Sequence, residues 1–414
     1  MPAMKTLVVI GYVWPEPDSS AAGSRMLQLL AVFREEGFRI IFASPAEESS
    51  HAPDLRDAGI EPVAIRLNCS SFNDWIGGIR PDVVMFDRFM MEEQFGWRVE
   101  EACPEALRLL DMEDMHSLRD ARHRALRQNR SVVPEDLNSE LAYREVAAIL
   151  RCDLTLVISE VEMQWLTQVL PVPEDILCYS PFMIAPDRRP LVPLSQRQHF
   201  VSIGNFRHAP NWDAVLQLKE LWPQIRARLP QAECHIYGAY PPPKATQLHH
   251  PKSGFLVKGW ADSATDVISN ARVMLAPLRF GAGLKGKLLE AACLGTPAVT
   301  TPIGAEGMYG DAEMPASVCD SDQDFVEAAV ALYQDDSHWH ALSQCGPVVM
   351  ESRFSVDIHG QRLKDRLNHL MNGRTGQSTL PFLSGMLRHH YLKSSKYMSQ
   401  WIEAKNRLRD EEAE

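Results

Sequence analysis

Arg279-Phe-Gly-Ala-Gly-Leu-Lys-Gly-Lys-Leu-Leu-Glu-Ala-Ala-Cys-Leu-Gly-Thr-Pro-Ala-Val-Thr-Thr301 is the stretch on which the reading of this chain turns. The apolar run just before it, residues 272–276, reads as a strand buried on both faces. Gly281, Gly283 and Gly286 then let the backbone come close to a ligand, and Leu284 belongs to the same loop. A helix follows over residues 285–294. Its first N–H groups lack intrahelical partners and lie at its positive end, a setting that suits a diphosphate. Lys285 and Lys287 add formal charge there, and Glu290, one turn in, is placed to accept two ribose hydroxyls. Gly295-Thr-Pro297 ends the helix and launches a strand at 298–300. Taken alone, such a glycine loop also fits an ordinary tight strand–helix turn.

Working outward, the same alternation repeats on both sides. Strand patterns at residues 6–10, 39–44, 62–66, 82–86, 107–111 and 153–159 alternate with helical ones. After a proline-rich linker (Pro181, Pro186, Pro190, Pro193) the pattern restarts, with strands at 199–203, 233–237, 255–258, 272–276 and 298–300. Helices are expected at 212–229, 264–270, 285–294, 322–333 and 356–370. This order implies an α/β protein with two Rossmann-like doubly wound domains in tandem. The expected divisions are residues 1–185, 196–370 and a helical extension over 371–414. In the extension, Leu387, Tyr391, Met398, Trp401 and Ile402 share one helical face. That face either packs back on the protein or meets a membrane surface or a second copy. Six Lys/Arg against five Asp/Glu from Thr375 onward argue against electrostatic lipid binding.

The 414 residues are enough for two domains, and a formal charge of −12 disfavours bulk nucleic-acid binding. The eight cysteines are scattered, without CxxC or metal-type spacing, and read as free thiols in a reducing compartment. Neither a signal peptide nor a run of ~18 apolar residues is found, so a cytoplasmic location is expected, with at most peripheral contact at the inner membrane face.

The glycine loop and its helix resemble the donor-binding signature of family-4 GT-B glycosyltransferases, a helix reading roughly Glu-Ala-x-Ala-x-Gly-x-Pro-Val-Val. Glu290, Ala291, Gly295, Pro297 and Val299 match it, and Ala298 stands where a valine is usual. Many members carry a second glutamate eight positions earlier in the chain; here that position is Ala282. The resemblance implies that the two doubly wound domains face a central cleft, and that the chain carries out a retaining sugar transfer from a nucleoside-diphosphate sugar to an acceptor hydroxyl in glycan or polysaccharide assembly. It also implies no cofactor and no metal, because cations and helix ends offset the diphosphate charge.

Further candidates lie at other strand ends. Arg207, in Gly204-Asn-Phe-Arg-His-Ala-Pro-Asn211, is the expected phosphate cation of the second domain. Asn211 also suits a helix cap. Glu306, in Ile303-Gly-Ala-Glu-Gly307, is placed for the donor sugar or ribose. In the first domain, Gly23 would face the donor phosphate, Arg25 would neutralise charge, and Trp14 would stack on the acceptor sugar or another flat group; helix capping and packing fit the same loop equally well. Asp87, Arg88 and Asp114 are further acceptor-side candidates. His116 is expected to polarise a sugar hydroxyl, so that His116, Arg207 and Lys287 form the catalytic group. The arginines of residues 116–139 either bind an anionic acceptor or form a solvated helix face. The expected partners are a nucleotide sugar and a carbohydrate or glycolipid, with a protein or modified RNA also open as acceptor. A sugar-nucleotide epimerase and a non-catalytic sugar-nucleotide-binding scaffold remain as alternatives. A NAD enzyme fits poorly, because Gly11-Tyr-Val-Trp-Pro follows the first strand instead of GxGxxG.

Overall fold

The computed structural model describes residues 4–49, 51–310, 314–373 and 381–413. Strands β1 (Thr6–Ile10), β2 (Arg39–Ser44), β3 (Ile60–Ala64), β4 (Val83–Asp87), β5 (Leu107–Asp111), β6 (Leu154–Val157) and β7 (Leu177–Tyr179) form one sheet. Its order is β3-β2-β1-β4-β5-β6-β7, all parallel. Strands β8 (Gln198–Ile203), β9 (Cys234–Tyr237), β10 (Phe255–Gly259), β11 (Ala271–Ala276), β12 (Ala298–Thr300) and β13 (Ala316–Val318) form a second parallel sheet, ordered β10-β9-β8-β11-β12-β13. The doubly wound pair expected from the sequence is present. The sequence reading did not include β7 and β13, which are three residues each.

Each sheet separates two apolar layers. Val8, Ile10, Val84, Phe86 and Leu110 pack on one face of the first sheet, while Leu7, Val9, Val83, Met85 and Leu109 pack on the other. Strict alternation follows from the period of two, and burial on both faces explains the unbroken apolar runs. The second sheet is built likewise, with Phe200, Ile236, Val273 and Leu275 on one side and Val201, Met274 and Ala276 on the other.

The halves are joined where two segments cross side by side. Ile184 N donates to the Phe354 carbonyl (2.7 Å), and Val356 N donates to the Ile184 carbonyl (3.0 Å). The helix Val356–Asn372, last of the residues assigned by sequence order to the second domain, buries Leu363 and Leu367 in the first-domain core beside Leu29 and Phe33. The terminal helix Pro381–Ala413 lies along the helices Phe89–Ala102 and Glu140–Arg151. Arg388 donates to the Arg151 carbonyl (2.8 Å), and Glu403 accepts from Ser70 Oγ (2.7 Å). Met398 and Trp401 remain exposed; the Tyr391 side chain lies outside the described residues. Among the described residues no helix is long and apolar enough to cross a membrane.

In both sheets the strand order reverses beside the first strand, between β1 and β4 and between β8 and β11. Loops at the carboxyl ends there diverge and open a crevice. The loops after β1, β4 and β5 therefore face those after β8, β11 and β12, and these six loops carry the sequence candidates.

Candidate active site

The second-domain wall is built on the helix Gly286–Cys293, which follows β11 and its glycine loop. Gly283 adopts φ +63°, and a Cβ there would lie 2.9 Å from Asp114 Cβ of the first domain. Only glycine suits both the left-handed backbone and that approach. Gly286 touches Ala21 of the first domain so closely that a Cβ would overlap it. No protein acceptor meets the Gly286 and Lys287 N–H groups among the described residues.

Lys287 Nζ donates to Asn211 Oδ1 (2.8 Å), with no carboxylate partner. Burial pushes its pKa down to about 8. The ammonium thus lies at the positive end of a helix with no counter-charge among the described residues, a setting that suits an anion. Asn211 thus holds a cation; the helix Ala209–Arg228 begins at His208 instead. Arg207 is exposed, with its guanidinium 3.6 Å over the Tyr240 ring centroid. His208 is open to cleft solvent. The surrounding walls, together with Arg119 and Lys287, outweigh Asp114 and push its pKa to about 4. Glu290 is exposed at the gap, and the enclosing walls and Asp18 of the first domain raise its pKa.

Lys285 and Glu306 are placed differently from expectation. Lys285 Nζ turns into its own loop, donating to the Gly283 (2.6 Å) and Ala282 (3.3 Å) carbonyls, so it shapes the loop from within. Leu284 is buried in the apolar layer under the loop. Glu306 is held by a two-point pair with Arg122 of the first domain (2.8 and 2.6 Å) and so does not project freely toward a donor.

On the first-domain wall three readings need correction. Trp14 is 5 % exposed and packs near Phe42, with its indole N–H donating to the Ala46 carbonyl (2.8 Å). It is a core residue, not a free stacking surface. Gly23 N–H is committed to the Ser20 cap (3.1 Å), and a Cβ at Gly23 would meet the Glu16 backbone at 2.5 Å. Its role is close loop packing. Arg25 is fully buried, bonded to Asp111 Oδ1 (2.6 Å) and the Ser180 carbonyl (2.8 Å), and ties its helix to the sheet end.

Arg88, Asp114 and His116 are half-buried at the carboxyl end of the first sheet, and Asp87 is buried beside them. Arg88 has φ 71°, a strained value for a side-chain-bearing residue, and Asp87 accepts from Tyr12 N (3.0 Å). Burial outweighs Asp114, 3.3 Å away, and holds the His116 pKa at about 4, so the ring is neutral at pH 7. Burial would raise Asp114, but Arg119, His116 and His208 together hold it well below the usual carboxylate range. In the arginine-rich helix His116–Arg127, Arg119 and Arg124 pair with Asp114 and Asp120, Arg122 reaches across to Glu306, and His123 stacks on Phe280 (4.3 Å).

Sequence reasoning missed Glu145 and Glu162. Glu145 is buried and accepts from His116 N (2.8 Å) and Ser117 N (3.0 Å), seating the helix that starts at His116. Glu162 accepts from Met115 N (2.7 Å) and from Gly283 N (2.8 Å) of the opposite domain. Burial and Asp114 push its pKa up to about 8. The one local signal is an acidic residue in the first turn after β6, in Ser159-Glu-Val-Glu162.

Two groups of metal-type side chains converge among the described residues. Asp87, Asp111 and Glu113 already surround Arg25, whose Nη1 lies 2.6 Å from Asp111 and 3.6 Å from Glu113. His199, Glu233 and His235 meet at the far, amino-terminal edge of the second sheet. There His199 Nδ1 accepts from Glu233 N (3.2 Å), which leaves the neutral ring's proton on Nε2, the atom that faces the other two side chains.

Residues 197–335 match the family model for glycosyl transferases group 1. No curated protein matches the chain. Among solved structures, sucrose-phosphate synthase from Thermosynechococcus elongatus superposes with a TM-score of 0.66 at 14% identity, covering 89% of this chain and 100% of that one. HepE of Anabaena in complex with UDP and glucose gives 0.66 at 10%, covering 88% and 99%. A glycosyltransferase from Rickettsia africae gives 0.65 at 9%, covering 89% and 99%. At such identities the likeness is one of fold. Residues 197–335 are thus similar to glycosyl transferases group 1, within a chain that has the GT-B fold.

Proposed function

We propose that this chain moves a sugar from a nucleoside-diphosphate sugar to an acceptor hydroxyl, with retention at the anomeric carbon, in glycan or polysaccharide assembly. The observation that carries the reading is the uncompensated positive wall. Among the described residues, Lys287 and Arg207 lack carboxylate partners, the Gly286 and Lys287 amides lack protein acceptors, and Glu290 stands one turn along the same helix at the gap. The group 1 match covers this wall, and a solved HepE structure is described with UDP-glucose.

In this reading the diphosphate lies on the helix end between Lys287 and Arg207, and Glu290 accepts the ribose hydroxyls. The bond from the anomeric carbon to the phosphate oxygen breaks as the acceptor oxygen attacks from the same face. The departing phosphate oxygen takes the acceptor proton. The protein positions the partners and stabilises charge building on the diphosphate. Neutral His116 donates to or accepts from a sugar hydroxyl, while Asp87, Arg88 and Asp114 orient the acceptor. Gly286 lies against Ala21, and in this reading the donor enters when the halves part and reacts when they shut, with water excluded.

The test is a thermal-shift screen against UDP, GDP, ADP and dTDP sugars, followed by measured release of the nucleoside diphosphate with sugar acceptors. A site ligand at one hundred times its Kd stabilises by about 2.7 kcal/mol. No shift with any of them, and no release, refutes the proposal. Interconversion of free sugar nucleotides without an acceptor would make the chain an epimerase instead.

A further inference from the structure

The glycine loop of the second domain is gripped at two points by the first domain. Arg122 Nη1 donates to the Gly281 carbonyl (2.8 Å), and Glu162 Oε1 accepts from Gly283 N (2.8 Å). Both gripping side chains are buried, Glu162 completely. The same Glu162 oxygen accepts from Met115 N (2.7 Å), the residue just before His116. One oxygen atom therefore joins the loop that leads into the Gly286–Cys293 helix to the loop that presents Asp114 and His116. Glu162 Oε2 and Arg122 Nε are buried without hydrogen-bond partners, so neither group is fully satisfied by fixed structure. Under-satisfied buried polar groups are costly and call for an explanation, and contacts that form and break supply one.

We infer that Glu162 and Arg122 are positioning residues forming a two-point clamp, through which closure of the first domain sets the Gly281–Gly283 loop and the Asp114–His116 loop together. The clamp rests on the donor-cleft reading above and adds its regulation. With the halves apart, both grips on the loop are lost, and the helix end beyond it has no fixed approach to the diphosphate. With the halves shut, the amide of Gly283 and the amide of Met115 are drawn to one atom. The donor side and the acceptor side then reach working geometry in the same event, which limits transfer of the sugar to water.

The experiment compares hydrogen exchange in two backbone segments, read at the Met115 amide within residues 115–118 and at the Gly283 amide within residues 281–287, the two amides that donate to Glu162, in the wild-type chain and in Glu162→Ala and Glu162→Gln. The glutamine keeps a carbonyl oxygen that can accept from both amides. In the alanine variant both segments are expected to exchange faster together, by roughly tenfold or more; in the glutamine variant both stay protected. Acceleration of one segment alone, of neither, or equally in both variants overturns the clamp. If the alanine variant does not fold, Arg122→Ala is read on residues 281–287, where unchanged exchange overturns it. With a sugar nucleotide as substrate, Glu162→Ala should lower kcat for transfer and raise the hydrolysed fraction, and Glu162→Gln should restore both. An unchanged partition between transfer and hydrolysis would also count against the clamp. The exchange measurements need no substrate, so a wild-type chain that binds no nucleoside diphosphate would refute the proposed function while leaving the clamp decided separately.

Discussion

Replacing Lys287 with methionine keeps the side-chain length and removes one charge, and the structure predicts opposite effects on ligand binding and on stability. A cation about 4 Å from a phosphate interacts by ~4 kcal/mol at the effective dielectric of a partly buried site. After desolvation, a hydrogen bond to a charged group is worth about 1.5–3 kcal/mol, so nucleoside diphosphate affinity should fall roughly 10- to 150-fold. The ligand-free protein should gain. Held at about 8 instead of 10.5, a fully buried ammonium would cost about 3 kcal/mol. Lys287 is partly open to cleft solvent, which screens this to about 1–2 kcal/mol. The sign follows from linkage. Below pH 8 the lysine is charged in both folded and unfolded chains, and the whole cost is present. Between the folded value of about 8 and the unfolded value near 10.4, the unfolded chain binds more protons, and wild-type stability rises with pH. Lys287→Met should therefore melt higher than wild type at pH 7, with the gap closing toward pH 10. Calorimetric titration with UDP and GDP and melting across that pH range read both effects. Wild-type affinity in the variant, or a lower melting temperature at pH 7, would refute the argument that this cation is kept unpaired for an anion.

Glu290→Gln should weaken nucleoside diphosphate binding by about 1–2 kcal/mol, roughly 5- to 30-fold, while leaving nucleotide-free stability unchanged or higher, because the raised pKa marks an unfavourable carboxylate; equal Kd values in a titration would remove its ribose role. Arg25→Ala should destabilise the chain by about 3–5 kcal/mol in chemical denaturation, since Asp111 and Glu113 lose their buried counter-charge; a loss under 1 kcal/mol would contradict its anchoring role. Trp14→Ala should likewise cost about 3–5 kcal/mol of stability with no selective change in acceptor KM, and a change in acceptor KM alone would restore the stacking role. His116, held at about 4, gives a neutral ring across pH 5–8, so the transfer rate should show no inflection near pH 6.5 that His116→Gln abolishes; stability, by contrast, should fall between about pH 6.5 and 4 as the unfolded chain takes up a proton that folded His116 resists.

The legible parts of the fold were those with local causes. Strand β11, its glycine loop and the following helix could be read because apolar periodicity, missing Cβ atoms and a helix start are all encoded within about 25 residues. The helix Asp336–Arg353 is not among the expected elements, and it carries Gly346-Pro347, a pair that locally disfavours a helix, in its interior. In the fold Gly346 rides directly on the Ala292 carbonyl, where a Cβ would lie 2.5 Å away, and tertiary packing overrides the local preference. Lys285 and Lys287, two positions apart, look equivalent as text. The loop turns one inward onto its own carbonyls and leaves the other beside Asn211, 76 residues away in sequence.

The amino-acid sequence alone determined two parallel-sheet domains, the place of the glycine loop before its helix and the identity of Glu290 as a carboxylate one turn beyond it, because each depends on neighbours along the chain. Only the tertiary structure decided which charges stay uncompensated. Trp14, Gly23 and Arg25 are absorbed into the first domain, Glu306 is taken by Arg122, and Glu162 bridges the halves. Whether a polar group is free or committed depends on groups brought together from distant segments, and no local pattern records that.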